Sequence, residues 1–152
     1  MANQTEAGHE KYRLVLSMAQ RYPPLPTAVV HPCDEVSLMG AIEAHRLGLI
    51  APILVAPPVR LRALAAGLGI DISEFPLVES AHSHESAARG VALVREARAE
   101  AIMKGSLHTD ELMAAIVARD TGIRTERRLS HCFIMDVPGR AAPLIITDAA
   151  VN

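Results

Sequence analysis

Short apolar runs rich in β-branched residues alternate with longer stretches of helical period along the chain. Thr27–His31, Ala51–Ala56, Phe75–Val78, Glu100–Met103, His131–Met135 and Leu144–Thr147 each have the length and content of a buried strand. Between them the apolar positions recur every three to four residues, predicting helices over 10–21, 37–47, 58–68, 84–98 and 110–119. The inward faces predicted are Tyr12, Val15, Leu16 and Ala19; Leu38, Met39 and Ile42; Leu61, Leu64, Ala65 and Leu68; Ala87, Val91 and Val94; and Leu112, Ala115 and Ile116. Proline and glycine fall mostly between these segments: Pro23, Pro24 and Pro26 after the first helix, Gly48 after the second, Gly67 and Gly69 at the end of the third, Gly122 after the fifth. Thr109 is placed to cap the last helix.

Strands of four to six residues alternating with helices of ten to fifteen predict βαβ units. The expected fold class is α/β, a doubly wound, mostly parallel sheet with helices on both faces. The last two strands, joined by the Pro138-Gly139 turn, fit an antiparallel pair. Residues 1–9 read as a flexible tail and 10–152 as a single α/β domain.

Composition narrows the function. A formal charge of −2 with both signs interspersed, no tryptophan, two Phe and two Tyr leave neither a basic surface nor a stacking platform for nucleic acid, so no nucleic-acid partner is expected. No apolar run approaches the roughly 18 residues a membrane span needs. Ala2–Glu10 carries no apolar core of a secretory signal, and a cytoplasmic protein is expected. Cys33 and Cys132 are isolated, which favours two buried thiols over a disulfide. His82 and His84 are two apart and no HxxxH or HExxH spacing occurs, so no metal site is expected. The patterns GxxxxGK[ST] and GxGxxG are absent, which counts against the usual ATP, GTP and NAD sites.

In a parallel sheet, ligands collect beyond the carboxyl ends of the strands. Those ends read His31-Pro32-Cys33-Asp34, Pro57-Pro58, Ser80–His84, Lys104–Thr109 and Thr147–Asn152. The fourth is the most suggestive. Lys104 supplies a point charge, Gly105 lets the backbone approach closely, and Ser106, His108, Thr109 and the loop amides supply donors for an anion. Asp110 and Glu111 already satisfy the positive end of the following helix, so an anion is expected over the loop and the lysine rather than on the helix axis. Asp148 reads as a base, a positioning carboxylate or a turn cap; alone it does not choose.

Three segments taken together, Met103-Lys104-Gly105-Ser106-Leu107-His108-Thr109, Leu129-Ser130-His131 and Thr147-Asp148-Ala149-Ala150-Val151-Asn152, resemble the phosphate acetyltransferase and phosphate butyryltransferase family, with details nearer the butyryl branch. The resemblance covers nearly all of the chain after the tail. It implies reversible acyl transfer between coenzyme A and inorganic phosphate. It also implies one domain of an isocitrate/isopropylmalate dehydrogenase-like fold, with no permanent cofactor and no metal. Acyl-CoA, phosphate and acyl phosphate are the implied partners. On this resemblance the phosphate and substrate site comprises Lys104, Gly105, Ser106, His108, Thr109, Ser130, His131, Thr147, Asp148 and Asn152.

Members of that family are about twice as long, so the chain reads as an N-terminal half lacking the second domain. The catalytic residues are expected in that other half, and little activity is expected of the chain alone. Two other readings share the architecture: a fatty-acyl phosphate acyltransferase-like enzyme, and a non-catalytic anion-binding or dimerisation module. Ile145 and Ile146, near an uncovered face, lead to the expectation of a homo-oligomer.

Overall fold

The structure, a computed structural model, describes residues 10–127 and 129–148. The chain divides into two compact units, whereas its sequence reads as a single domain over 10–152. One unit is Pro23–Arg124; the other comprises the described residues of Met1–Tyr22 and Thr125–Asn152.

The larger unit is a four-stranded parallel sheet. Its elements in chain order are β1 (Leu25–Val30), α2 (Glu35–Arg46), β2 (Ile50–Ala56), α3 (Pro58–Gly67), β3 (Leu77–Glu79), α4 (Ser83–Arg95), β4 (Ala101–Lys104) and α5 (Thr109–Val117). The strands lie in the order β3-β2-β1-β4. β1 is therefore central, pairing Val30 with Val55 on one side and with Lys104 on the other. The chain steps outward through β2 and β3 and then crosses back to lay β4 beside β1. The strand order reverses between β1 and β4, where an open α/β sheet leaves a crevice at its carboxyl edge.

Alternation along β1 explains why Ala28, Val29 and Val30 are apolar in succession. Val29 faces Leu38, Ala41, Ile42, Leu61 and Ala65 of α2 and α3. Ala28 and Val30 face the opposite layer, with Leu93, Ala87 and Leu112 of α4 and α5. Helices thus cover both faces of this sheet. Burying a side chain such as Leu38 or Leu61 completely contributes about 1.5–3 kcal/mol. α4 packs tightly on the sheet at Gly90, where a Cβ would stand 2.4 Å from Cγ2 of Val30.

Local chemistry sets the helix ends. Asp34 caps α2, accepting a 2.8 Å hydrogen bond from the Ser37 amide, and Pro58 begins α3 where its missing N–H costs nothing. Two expectations need correction here. Met39 is 43% exposed, and Ala41 takes the inward position instead. Thr109 is the first residue of α5 and not its cap; His108 occupies the cap position and makes no side-chain capping bond.

The smaller unit holds α1 (Glu10–Ala19) and the antiparallel pair β5 (Cys132–Met135) and β6 (Leu144–Thr147). The last two strands form a separate two-stranded sheet rather than extending the parallel one. α1 forms where its period predicts, but none of its residues is buried, and Tyr12 remains 55% exposed. The Lys11 ammonium bonds to the Asp136 carboxylate and the Val137 carbonyl. Cys132 is exposed while Cys33 is buried, so the expectation of two buried thiols holds for one.

Candidate functional site

At the switch point the ends of β1 and β4 are joined by a dense set of hydrogen bonds. The carbonyl of Val30 accepts the Gly105 amide at 2.8 Å, and the carbonyl of His31 accepts the Ser106 amide at 2.9 Å. The Ser106 hydroxyl donates to that same His31 oxygen at 2.9 Å and accepts the Cys33 amide at 3.3 Å. This explains Gly105 differently from the sequence reading. A Cβ there would stand 2.4 Å from the His31 oxygen and 2.5 Å from that of Val30, so the glycine admits the chain's own strand β1. The Gly105 and Ser106 amides and the Ser106 hydroxyl are engaged within the fold and do not form a set of free donors.

Lys104 is held differently from a solvated lysine. Its ammonium donates to the carbonyls of Leu107 at 2.8 Å and Gly105 at 3.2 Å, so the side chain curls over its own loop. An ammonium has three N–H donors, and the third remains for a ligand oxygen. His108 and Thr109 are exposed at the start of α5. Asp110 and Glu111 do occupy its first turn. Glu111 lies 3.4 Å from Nε2 of His84, and its Oε2 is buried without a hydrogen-bond partner among the described residues.

Behind the loop lies a buried polar cluster that the sequence reading did not include in the site. His31 adopts φ 55°, a left-handed conformation that costs a non-glycine residue about 1–2 kcal/mol. Its Nδ1 is 3.0 Å from the Ser86 hydroxyl, which is 2.7 Å from that of Ser80. Burial is the main cause that lowers the His31 pKa below the ordinary value, with the Arg60 charge adding to it. Burial likewise raises the Cys33 thiol, leaving it a poor nucleophile. Arg60, in the first turn of α3, donates to the Cys33 carbonyl at 3.4 Å. The Asp34 carboxyl is held down first by hydrogen bonds from Ser37, with the Lys104 and Arg60 charges contributing. Arg60 was legible in principle, because the first turn after a parallel strand stands at the carboxyl rim. No signal marked Ser86, which lies inside a helical pattern.

The remaining predicted residues belong to the smaller unit. The Asp148 amide donates to the His131 carbonyl at 2.7 Å, bringing Ser130-His131 and Thr147-Asp148 together at one end of the β5–β6 pair. The His131 ring packs edge-on to Phe133, and its Nδ1 is buried with no hydrogen-bond partner among the described residues. Asn152 lies outside the described residues. Among those described, no group of three His, Cys, Asp or Glu side chains could hold a metal ion, and no helix is long and apolar enough to cross a membrane.

No protein-family model matches the chain. A phosphate acetyltransferase from Rhizobium meliloti is 54% identical over 93% of this chain and 45% of its own length. This stretch of sequence belongs to the phosphate acetyl- and butyryltransferase family. A phosphate butyryltransferase from Clostridium beijerinckii is 28% identical over 91% of the chain and 46% of its own length. The leaning towards the butyryl branch is therefore corrected: over this stretch the Rhizobium acetyltransferase shares about twice the identity. The chain spans less than half the length of these family members and corresponds to their N-terminal half. A phosphotransacetylase from Streptococcus pyogenes shares the fold, with a TM-score of 0.74 at 16% identity over 92% of this chain and 52% of that one.

Proposed function

We propose that the chain carries part of the phosphate-side site of an acyltransferase that moves an acyl group between coenzyme A and inorganic phosphate. The observation that carries the reading is the lysine at the end of β4. It stands at the switch point of the sheet, curled over its loop with one donor left, in a sequence with strong similarity to a phosphate acetyltransferase. In this reaction a phosphate oxygen attacks the thioester carbonyl carbon. A C–O bond forms, the C–S bond breaks, and the thiolate leaves and takes up a proton. Both substrates are anionic, so a fixed cation lowers the cost of bringing them together and orients the attacking phosphate.

In this proposal Lys104, His108 and Thr109 meet the substrate. Gly105 and Ser106 shape the loop behind them. Ser130, His131, Thr147, Asp148 and Asn152 contribute from the second motif pair. Coenzyme A is a substrate and no resident cofactor is required. The likeness to one domain of an isocitrate/isopropylmalate dehydrogenase-like fold, the cytoplasmic setting and a homo-oligomeric state belong to the same proposal. So does a low turnover for the 152-residue chain alone, because the groups that complete the chemistry are assigned to the other half.

Titration with inorganic phosphate, followed by amide shifts in the Lys104–Thr109 loop, tests the site. Wild type is expected to show saturable shifts, and Lys104→Gln to weaken binding at least tenfold, as loss of a charged hydrogen bond worth about 1.5–3 kcal/mol requires. Equal affinity in the two proteins would remove Lys104 from the site.

A further inference from the structure

The His31 oxygen takes two hydrogen bonds from Ser106 and one, at 2.8 Å, from the Cys33 amide. A carbonyl with that reach depends on the left-handed turn of His31, an arrangement an L-residue keeps only when its surroundings hold it there. The His31 amide donates to the Val55 carbonyl at 2.8 Å, and its ring is held by two serines. Ser86, which is fully buried, donates its single hydroxyl proton to the His82 carbonyl at 3.0 Å. The Ser86 oxygen also lies 2.7 Å from the Ser80 hydroxyl and 3.0 Å from Nδ1 of His31; in the arrangement with its proton on the carbonyl, Nδ1 carries a proton and points it at Ser86.

We infer that His31 is a positioning residue for the anion loop, its ring pinned by Ser86 and Ser80 so that its backbone oxygen holds Ser106, and with it Lys104, in place. The inference rests on reading the Lys104–Thr109 loop as the phosphate site. His31 touches no substrate. It acts through the peptide oxygen at the end of β1, and the pinned ring transmits the position of α4 to the end of β4. Ser106 is the intermediate: its amide and hydroxyl meet the His31 oxygen, while the preceding Gly105 is held by Val30.

Two variants separate this role from ordinary stability. Asparagine tolerates the left-handed region and carries an amide donor close to the position of Nδ1; glycine tolerates the same backbone but donates nothing. Hydrogen exchange at the Ser106 amide and affinity for inorganic phosphate are measured in wild type, His31→Asn, His31→Gly and Ser86→Ala. Exchange at Ser106 is expected to rise about tenfold in His31→Gly and Ser86→Ala, the loss of roughly one hydrogen bond. Phosphate affinity is expected to fall by a similar factor in both, and His31→Asn to stay within about threefold of wild type. Nitrogen shifts of the wild-type imidazole are expected to report the Nδ1–H tautomer. Unchanged Ser106 exchange in His31→Gly would overturn the positioning role, whatever happens to phosphate. No phosphate binding by wild type would instead overturn the site reading, with the Ser106 exchange still deciding whether His31 holds the loop.

Discussion

Replacing Gly105 with alanine puts a methyl group where the structure has peptide atoms. The added carbon would stand 2.4 Å from the His31 oxygen, 2.5 Å from the Val30 oxygen and 2.6 Å from the His31 carbonyl carbon. None of these is a side chain able to swing away; all belong to the end of the central strand. Either that strand end or the β4 loop must retreat. Retreat breaks the bonds from Gly105 to Val30 and from Ser106 to His31, which at about 0.5–1.5 kcal/mol each come to about 1–3 kcal/mol. Residual crowding adds about 1–3 kcal/mol, and the stiffer unfolded chain returns about 0.4–1 kcal/mol. A net loss near 3 kcal/mol is expected, which for a chain of this size lowers Tm by about 6–12 °C. Calorimetry measures it, with Gly67→Ala as the control. At Gly67, in the last turn of α3, an added carbon meets nothing within 4 Å, so Tm should hold or rise. A Gly105→Ala protein melting within about 1 °C of wild type, with Ser106 equally protected, would refute the claim that β1 and β4 meet through this glycine.

Stability should also fall on acidification from pH 7 to pH 5. The folded His31 pKa lies below the ordinary 6.5, so in that window the unfolded chain binds the proton more readily. The stability is present above 6.5 and is lost as pH falls through the folded value. Burial is the main cause, Arg60 and His82 act with it and Glu111 against it; Asp34, depressed by Ser37, acts separately, below its ordinary 3.8. Melting curves of His31→Asn should lose the pH 5–7 part of the slope, and an identical slope in the variant would remove His31 as its source. Thiol labelling at pH 8 should modify one cysteine quickly and one slowly. Cys132 is exposed, whereas Cys33 is buried with its thiol pKa raised, so peptide mapping that finds Cys33 labelled first would contradict the structure.

The helices and strands were legible because burial imposes period. A strand flanked by helices on both faces is apolar at nearly every position, as β1 is from Ala28 to Val30, and a helix on one face must repeat every three to four residues. The lysine at the end of β4 was legible for the same reason, since a parallel strand delivers its last residue to the carboxyl rim. Partners were not legible. Ser106 and Gly105 looked like ligand donors because free loop amides and glycines commonly serve anions, but β1 had already taken them. α1 shows the opposite failure: its apolar stripe predicted a buried face, yet the residues against which such a face would close are not a property of its own period.

By itself, then, the sequence determined the elements, the class of the sheet, the loop that carries Lys104 and the family to which the stretch belongs. Each follows from local period or from a short motif. Only the tertiary structure decided that β4 returns to lie beside β1, with Lys104 in register with Val30, 74 residues earlier in the chain. That pairing makes the His31 oxygen the acceptor for Ser106 and brings Ser86 of α4 against the His31 ring. A hydrogen bond's partner depends on where distant strands are stacked, and strand order is set by how the helices pack on both faces of the sheet, which no window of sequence contains.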